Sequence, residues 1–111
     1  MITSVINKLI SHKAPFTLDE EETLNYTSLL ETLLRDLEKN LITCLDANCI
    51  WIEDETFYSF IFYNNNSNKY NKVLLYHKLS QFIQDFTDND GILISITQIK
   101  ENIYQLNFSI S

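Results

Sequence analysis

The sequence predicts a single α+β domain in the order α-α-β-β-α-β-β, with a four-stranded antiparallel sheet and helices packed mainly on one face. Leucines recur at three- and four-residue spacing in the first half of the chain, which is typical of an amphipathic helix. Aromatic and β-branched residues crowd the middle, and apolar and polar residues alternate near the end, as in strands. A chain of 111 residues with 45% hydrophobic residues is long enough for one domain with its own core.

The N-terminal part, residues 1–46, is predicted to be helical, and residues 47–111 are predicted to form a ββαββ unit. In residues 2–13 the apolar side chains fall on one side at helical spacing, which predicts a short amphipathic helix. Pro15 follows, and the residue before a proline disfavours helical backbone, so this helix should end before it.

A second, longer helix is predicted to begin at Thr17. Thr17 and Glu20 match the capping box, in which each side chain bonds the other residue's backbone N–H. The helix is predicted to continue to about Leu45, with a weaker possibility that it is split near Asn40. Its apolar stripe consists of Tyr26, Leu29, Leu30, Leu33, Leu34, Leu37 and Leu41.

Two strands are predicted at residues 48–53 and 57–63 from their β-branched and aromatic residues, with a turn between them. Both strands carry apolar residues on both faces, so they either lie mid-sheet or leave one face for a partner. The predicted faces are Cys49 and Trp51 against Ile50 and Ile52, then Tyr58, Phe60 and Phe62 against Phe57, Ile61 and Tyr63.

The asparagine-rich residues 64–71 predict an exposed loop. A third helix follows at residues 73–88, and Gly91, the single glycine, is expected to end it. Residues 92–97 and 104–110 predict a hairpin with one polar face. The inward residues are expected to be Leu75, Leu79, Phe82, Ile83 and Phe86 in the helix, and Ile92, Ile94, Ile96, Tyr104, Leu106, Phe108 and Ile110 in the hairpin.

Negative charge is concentrated in residues 17–55, which hold eleven acidic and two basic residues, and the formal net charge of the chain is −7. A one-sided charge distribution influences which partners associate and how fast. It favours a basic partner protein and disfavours nucleic acid and anionic membranes. A local basic and aromatic cluster, Lys69, Tyr70, Lys72, Tyr76 and Lys78, is outweighed by the acidic majority.

The sequence carries no signature of a cofactor-dependent or hydrolytic enzyme. Phosphate-binding loops need several glycines, and this chain has one. Cys44, Cys49, His12 and His77 lack the spacing of a zinc site. The acidic turn at residues 53–55 lacks the spaced oxygens and the glycine of a calcium loop. We therefore predict a protein without catalysis, cofactor or metal.

Cys44 and Cys49 are predicted to be reduced, buried thiols in a cytoplasmic protein. No segment approaches ~20 consecutive apolar residues, so no transmembrane helix is expected. The N-terminus also lacks the basic and apolar regions of a signal peptide.

The leading hypothesis is a non-catalytic acidic module that binds and modulates or inhibits a basic partner protein, as inhibitors and toxin-neutralising proteins do. A short acidic chain of this kind would suit a virus or a mobile element. The acids have a second interpretation, which is that they only keep a small domain soluble. The predicted partner-binding residues are Asp19, Glu20, Glu21, Glu22, Glu31, Glu53, Asp54 and Glu55.

Two alternatives stay open. The first is a structural homo-oligomer, with Trp51, Phe60, Ile61 and Phe62 as its interface. Small size, acidic composition and alternating helices and hairpins are broadly similar to those of secretion chaperones, and that resemblance implies a homodimer. The second is a small ligand-binding domain or enzyme, which requires His77 to lie in a pocket.

Overall fold

The computed structural model describes residues 2–11, 19–53, 55–65, 71–87 and 92–110. The four strands form one antiparallel sheet with the spatial order β1-β2-β4-β3. The predicted α+β domain, its element order and the packing of helices against the sheet are confirmed. The elements are α1 (Ile2–Ser11), α2 (Glu20–Lys39), β1 (Ile42–Ile52), β2 (Glu55–Asn64), α3 (Asn71–Thr87), β3 (Ile92–Lys100) and β4 (Ile103–Ile110).

Helix α2 begins two residues later than the predicted capping box implies. Asp19 is the N-cap, and its carboxylate Oδ1 accepts a hydrogen bond of 2.8 Å from the backbone N–H of Glu22. Glu22 accepts a longer bond of 3.4 Å from the backbone N–H of Asp19. Two overlapping capping boxes are present in the sequence, and Asp is at least as good an N-cap as Thr. The assignment to Thr17 was therefore wrong; Thr17 itself lies outside the described residues.

The prediction that α2 continues to about Leu45 was also wrong. The backbone of Leu41 is left-handed, with φ 61°, and its N–H bonds the carbonyl of Glu38 at 3.0 Å. The chain reverses there, so residues 42–46 belong to β1 and not to the helical part. Leu41 and Leu45 extend the helical leucine spacing, which hides this end. The weaker alternative of a split near Asn40 marked the right position, but a strand and not a second helix follows it.

Strand β2 separates the two faces of the sheet. Tyr58, Phe60 and Phe62 are buried, with the rings of Phe60 and Phe62 stacked at 5.9 Å, while Phe57 and Ile61 on the other side are half-buried. All three described helices pack their apolar residues into the same core as this buried side, which confirms the predicted faces of β2. Their buried residues are Val5, Ile6, Leu9, Tyr26, Leu30, Leu33, Leu34, Leu37, Leu75, Leu79, Phe82 and Ile83.

The opposite side of the sheet is covered by none of the described helices, and we call it the open face. Successive side chains of a strand point to opposite faces of the sheet. The residues that alternate with the buried ones, and their cross-strand partners, therefore lie on the open face. They include Asn48, Ile50, Ile52, Glu55, Phe57, Ser59, Ile61, Tyr63, Ser95, Gln105 and Asn107.

Strand β3 departs from the predicted alternation. Leu93 and Ile96 both pack against the core, because the register shifts between Leu93 and Ser95 and one extra residue changes the side to which the chain points. The assignment of residues 92, 94 and 96 to one inward face is therefore corrected, although the side chains of Ile92 and Ile94 lie outside the description. Leu106 and Phe108 of β4 are buried as predicted.

Several predictions fall outside the described part of the chain. They concern the loop residues 66–70, the helix stop at Gly91, and the side chains of Phe86 and Ile110.

The neighbours Phe60 and Ile61 test which face of β2 is the core. We expect Phe60→Ala to lower the free energy of unfolding by about 3–5 kcal/mol, because it leaves a cavity beneath three helices. Ile61→Ala should cost about 1 kcal/mol, as at a half-covered position. Urea denaturation of both variants measures the difference. Equal losses would mean that something also covers the open face.

Candidate functional site

The reversal at Leu41 sets α2 antiparallel to β1. The hydroxyl oxygens of Tyr26 in α2 and Tyr58 in β2 lie 3.3 Å apart, and Tyr58 pairs with Cys49 in β1. Residues that precede Tyr26 and residues that follow Cys49 therefore extend towards the same end of the domain. This brings the first turn of α2 and the β1–β2 hairpin tip to one end.

We call this end the acidic end. Every described acid in it is exposed. None of them forms an ion pair with another described residue. The N-terminal position of four of them also suits the positive end of the α2 dipole. The residues of the acidic end are Asp19, Glu20, Glu21, Glu22, Glu53 and Glu55.

Charges of both signs lie among the described residues at the other end of the domain. The backbone N–H of Asn65 bonds the carbonyl of Leu41 at 2.9 Å, and the N–H of Asn64 bonds the carbonyl of Asn102 at 2.7 Å. These bonds hold the α2–β1, β2–α3 and β3–β4 connections together there. Exposed residues of both signs lie near these connections, among them Glu38, Lys39, Lys100 and Glu101.

Of the two remaining predicted partner-binding acids, one lies away from the acidic end and the other is outside the described residues. Glu31 lies further along α2 and binds Arg35, with its Oε1 2.8 Å from the guanidinium. Asp54 lies outside the described residues. Asp36 and Asp46, along the body, pair with Lys78 at 3.2 Å and with Lys8 at 2.7 Å.

The predicted oligomer interface is divided by the sheet. Phe60 and Phe62 have 0% exposure and lie in the core, so they cannot form an interface of the folded domain, and this part of the prediction is corrected. Ile61 lies on the open face and is half-buried. The side chain of Trp51 lies outside the description. Phe60 and Phe62 were chosen because their strand looked equally apolar on both sides, whereas the helices cover only one.

The open face contains a shallow depression of about 290 Å³. Its walls are Ile50 and Phe57, which pair across β1 and β2, and Asn48, Ser59 and Asn107 border it. Ile50 is 57% exposed and the lining is mostly apolar. The volume is at the lower limit for small-molecule pockets. The depression suits a single apolar side chain better than a cofactor.

A band of amide and hydroxyl groups crosses the open face beside the depression. The Nδ2 atom of Asn107 donates to the hydroxyl of Ser95 at 2.8 Å, and the Nε2 atom of Gln105 donates to the hydroxyl of Ser59 at 2.8 Å. These bonds join β2, β4 and β3 through side chains. They hold the amide groups in defined positions, so the polar border of the depression is preorganised.

Both edge strands carry features that oppose the addition of another strand. In β1 the register shifts between Cys44 and Asp46. The carboxylate of Asp46 accepts hydrogen bonds from the backbone N–H of Ala47 at 2.9 Å and from the ammonium group of Lys8. In β3 the register shifts at two places. Bulges and charges at an edge are how sheets avoid edge pairing. The open face and the acidic end are thus better docking surfaces than the edges.

Beneath the sheet, Tyr26, Tyr58 and Cys49 form a buried polar group. Burial raises the pKa of Tyr58, Tyr26 and Cys49, and all three therefore stay protonated at neutral pH. The hydrogen bond between the two hydroxyls satisfies polar atoms that burial would otherwise leave without water. The group fixes α2 on the sheet and offers no activated nucleophile.

The prediction of buried, reduced cysteines is confirmed, because Cys44 and Cys49 are both free and buried. Burial raises the pKa of Cys44 to about 12, and its Sγ donates to the carbonyl of Asp46 at 3.4 Å. At about 3.3 Å per residue along β1, the two cysteines lie roughly 16 Å apart. That separation is too long for a disulfide.

The placement of His77 does not support a pocket around it. His77 is exposed on α3, beside the ring of Tyr76, and does not line the depression of the open face. The described residues include no cluster of three or more His, Cys, Asp or Glu side chains arranged for a metal ion. His12 lies outside them.

Two described members of the basic and aromatic cluster near α3 contact other parts of the fold. Lys78 pairs with Asp36, and the ring of Tyr76 stacks on Phe108 at 6.4 Å. Lys69, Tyr70 and the side chain of Lys72 lie outside the description. No described helix has the length and apolar character needed to cross a membrane.

Comparison with protein-family models, with curated proteins and with solved structures found no match to this chain.

The acids can be selected from the sequence, whereas the depression has no comparably clear signal in it. Ile50 and Phe57 were recognised as strand residues, yet nothing marked them as more exposed than Phe60 or Phe62. The available signal was Ser59, the one polar residue within β2 between Phe57 and Ile61, which sets the side that faces away from the core.

The buried tyrosines and cysteines predict how stability depends on pH. Their folded-state pKa values exceed the unfolded values of about 8.5 for Cys and 10 for Tyr, so the unfolded chain loses protons first. Their contribution is complete below pH ~8.5 and is lost as pH rises towards the folded pKa values. We expect the free energy of unfolding, measured by urea denaturation, to fall between pH 9 and pH 11.

Tyr26→Phe removes one of these titrating groups while keeping the ring. The decline above pH ~10 should then become shallower, by at most about 1.4 kcal/mol per pH unit. A free energy of unfolding that stays constant to pH 11 in the unmodified protein would contradict the burial of these groups.

Proposed function

We propose that this chain is a non-catalytic acidic interaction module that binds a basic partner protein and modulates or inhibits it. The observation that carries the proposal is that two acidic segments, distant in sequence, lie at the same end of the fold. The first turn of α2 supplies Glu20 to Glu22, and the hairpin tip supplies Glu53 and Glu55.

The contrast between the two ends favours docking over a purely solubilising role for the acids. Acids that only keep a domain soluble can be spread over its surface and interspersed with bases. Here the described carboxylates of the acidic end have no ion-pair partner among the described residues, whereas the described charged residues near the opposite end include both signs. A concentrated field of one sign steers a complementary partner and speeds its association.

The proposal includes a cytoplasmic location. Cys44 and Cys49 are free thiols that the fold keeps too far apart to pair with each other. Free thiols are typical of proteins in reducing compartments.

Charge removal at the acidic end tests the proposal. The variant Glu20→Gln with Glu21→Gln should slow association with the partner about three- to tenfold at low salt, because it weakens electrostatic steering. The partner is first isolated from the native lysate with the tagged chain and purified. Association rates are then measured by surface plasmon resonance at several salt concentrations, and added salt should reduce the difference.

A matched control separates position from net charge. Glu38→Gln with Glu101→Gln removes the same number of charges at the opposite end, from exposed residues, and should leave the rate within about twofold. The charge-reversed variant Glu20→Lys, Glu21→Lys, Glu22→Lys should weaken binding further. Equal slowing by the two glutamine pairs would assign the effect to net charge, and no slowing by either would reject the acidic end as the docking site.

A further inference from the structure

We infer that the open face, next to the acidic end, binds an extended segment of the partner. The segment contributes two side chains, one basic and one apolar, from residues two positions apart. The basic side chain pairs with Glu55, and the apolar side chain fills the depression between Ile50 and Phe57. This inference rests on the proposed function and specifies the chemistry of the segment that the partner presents.

The register of the first hairpin places the acidic and apolar positions side by side. Ile52 pairs with Glu55, Ile50 pairs with Phe57, and Asn48 pairs with Ser59, in successive rows on the open face. Glu55 and Phe57 are two residues apart on the same side of β2, which corresponds to about 7 Å. An extended segment has the same spacing between its residues i and i+2. The distance between Glu55 and Phe57 therefore matches a partner sequence in which a basic residue and an apolar residue are separated by one residue of any type.

The border of the depression also suits an extended chain. Asn48 and Asn107 line it with amide groups, and the Asn107 amide is held by its bond to Ser95. Such groups can donate to and accept from the backbone of a segment that crosses the face. An apolar floor with a few polar groups at its margin is the usual composition of a specific binding site.

Charge decides between a basic segment and a second copy of this chain. A symmetric dimer on the open face would bring two copies, each of net charge −7, together next to Glu53 and Glu55 of both. Like charges at an interface oppose association. A basic segment meets the same carboxylates with the opposite sign, so it is the occupant that the charges favour.

Three acetylated and amidated peptides test the inference on the full chain. They are Lys-Ser-Leu-Ser-Lys, Lys-Ser-Ser-Ser-Lys and Glu-Ser-Leu-Ser-Glu, and binding is followed by amide chemical shifts in NMR titrations. We expect the first peptide to bind about tenfold more tightly than the second, because it buries a leucine side chain. The first should shift the amides of Ile50, Phe57 and Asn107, and the third should not bind.

Two matched variants locate the leucine. Ile50→Ser and Ile99→Ser each remove one exposed isoleucine, of 57% and 46% exposure, from an edge strand. Ile50→Ser should abolish the advantage of the leucine peptide and leave the Lys-Ser-Ser-Ser-Lys affinity unchanged. Ile99→Ser, at the far end of β3, should change neither affinity.

The outcomes distinguish this inference from the proposed function. Equal binding of the two lysine peptides, reduced by Glu20→Gln with Glu21→Gln, would overturn the apolar site and leave the acidic docking end intact. No preference of the protein for lysine peptides over the glutamate peptide would count against both. Self-association in sedimentation that Ile50→Ser abolishes would show that a second copy occupies the face, which also overturns the inference.

Discussion

The reversal of the chain at Asn40 and Leu41 is the constraint on which the rest of the structure depends. A left-handed leucine costs about 1–2 kcal/mol, because its Cβ approaches the following carbonyl. Leu30, Leu34 and Leu37, all nearly or completely buried against the sheet, stabilise the antiparallel arrangement that this turn permits. Without the reversal, the acids of α2 and those of the hairpin tip would lie at opposite ends of a longer rod, and no acidic end would exist.

Alternate residues of strand β2 contribute to the core and to the open face. Phe60 contributes its whole side chain to the core, while its neighbours Ser59 and Ile61 face outward. The hydroxyl pair of Tyr26 and Tyr58 ties this strand to α2 and so sets the level at which the helix crosses the sheet. One strand therefore both supplies core residues and fixes the position of α2, whose first turn carries the acids.

Much of the fold could be predicted because it depends on local periodicity. The leucine stripe of α2 and the alternation of β4 each specify one buried side. The end of α2 could not be predicted in this way, because Leu41 and Leu45 continue the helical spacing and leucine is rare in left-handed backbone. The bulge beside Leu93 likewise has no signature in a run of isoleucine and leucine. The acids could be selected from the sequence, but their meeting depends on that unpredicted helix end.

Charge and shape have separate roles in the docking surface that we propose. Long-range attraction by the acidic end mainly affects the rate of encounter, and it does not discriminate between basic segments of different sequence. Contact at the depression between Ile50 and Phe57 acts only at short range, so it selects the side chain next to the basic residue and lengthens the lifetime of the complex. The two features are adjacent because Glu55 and Phe57 share one side of β2. A segment attracted by the first is thereby already positioned to engage the second.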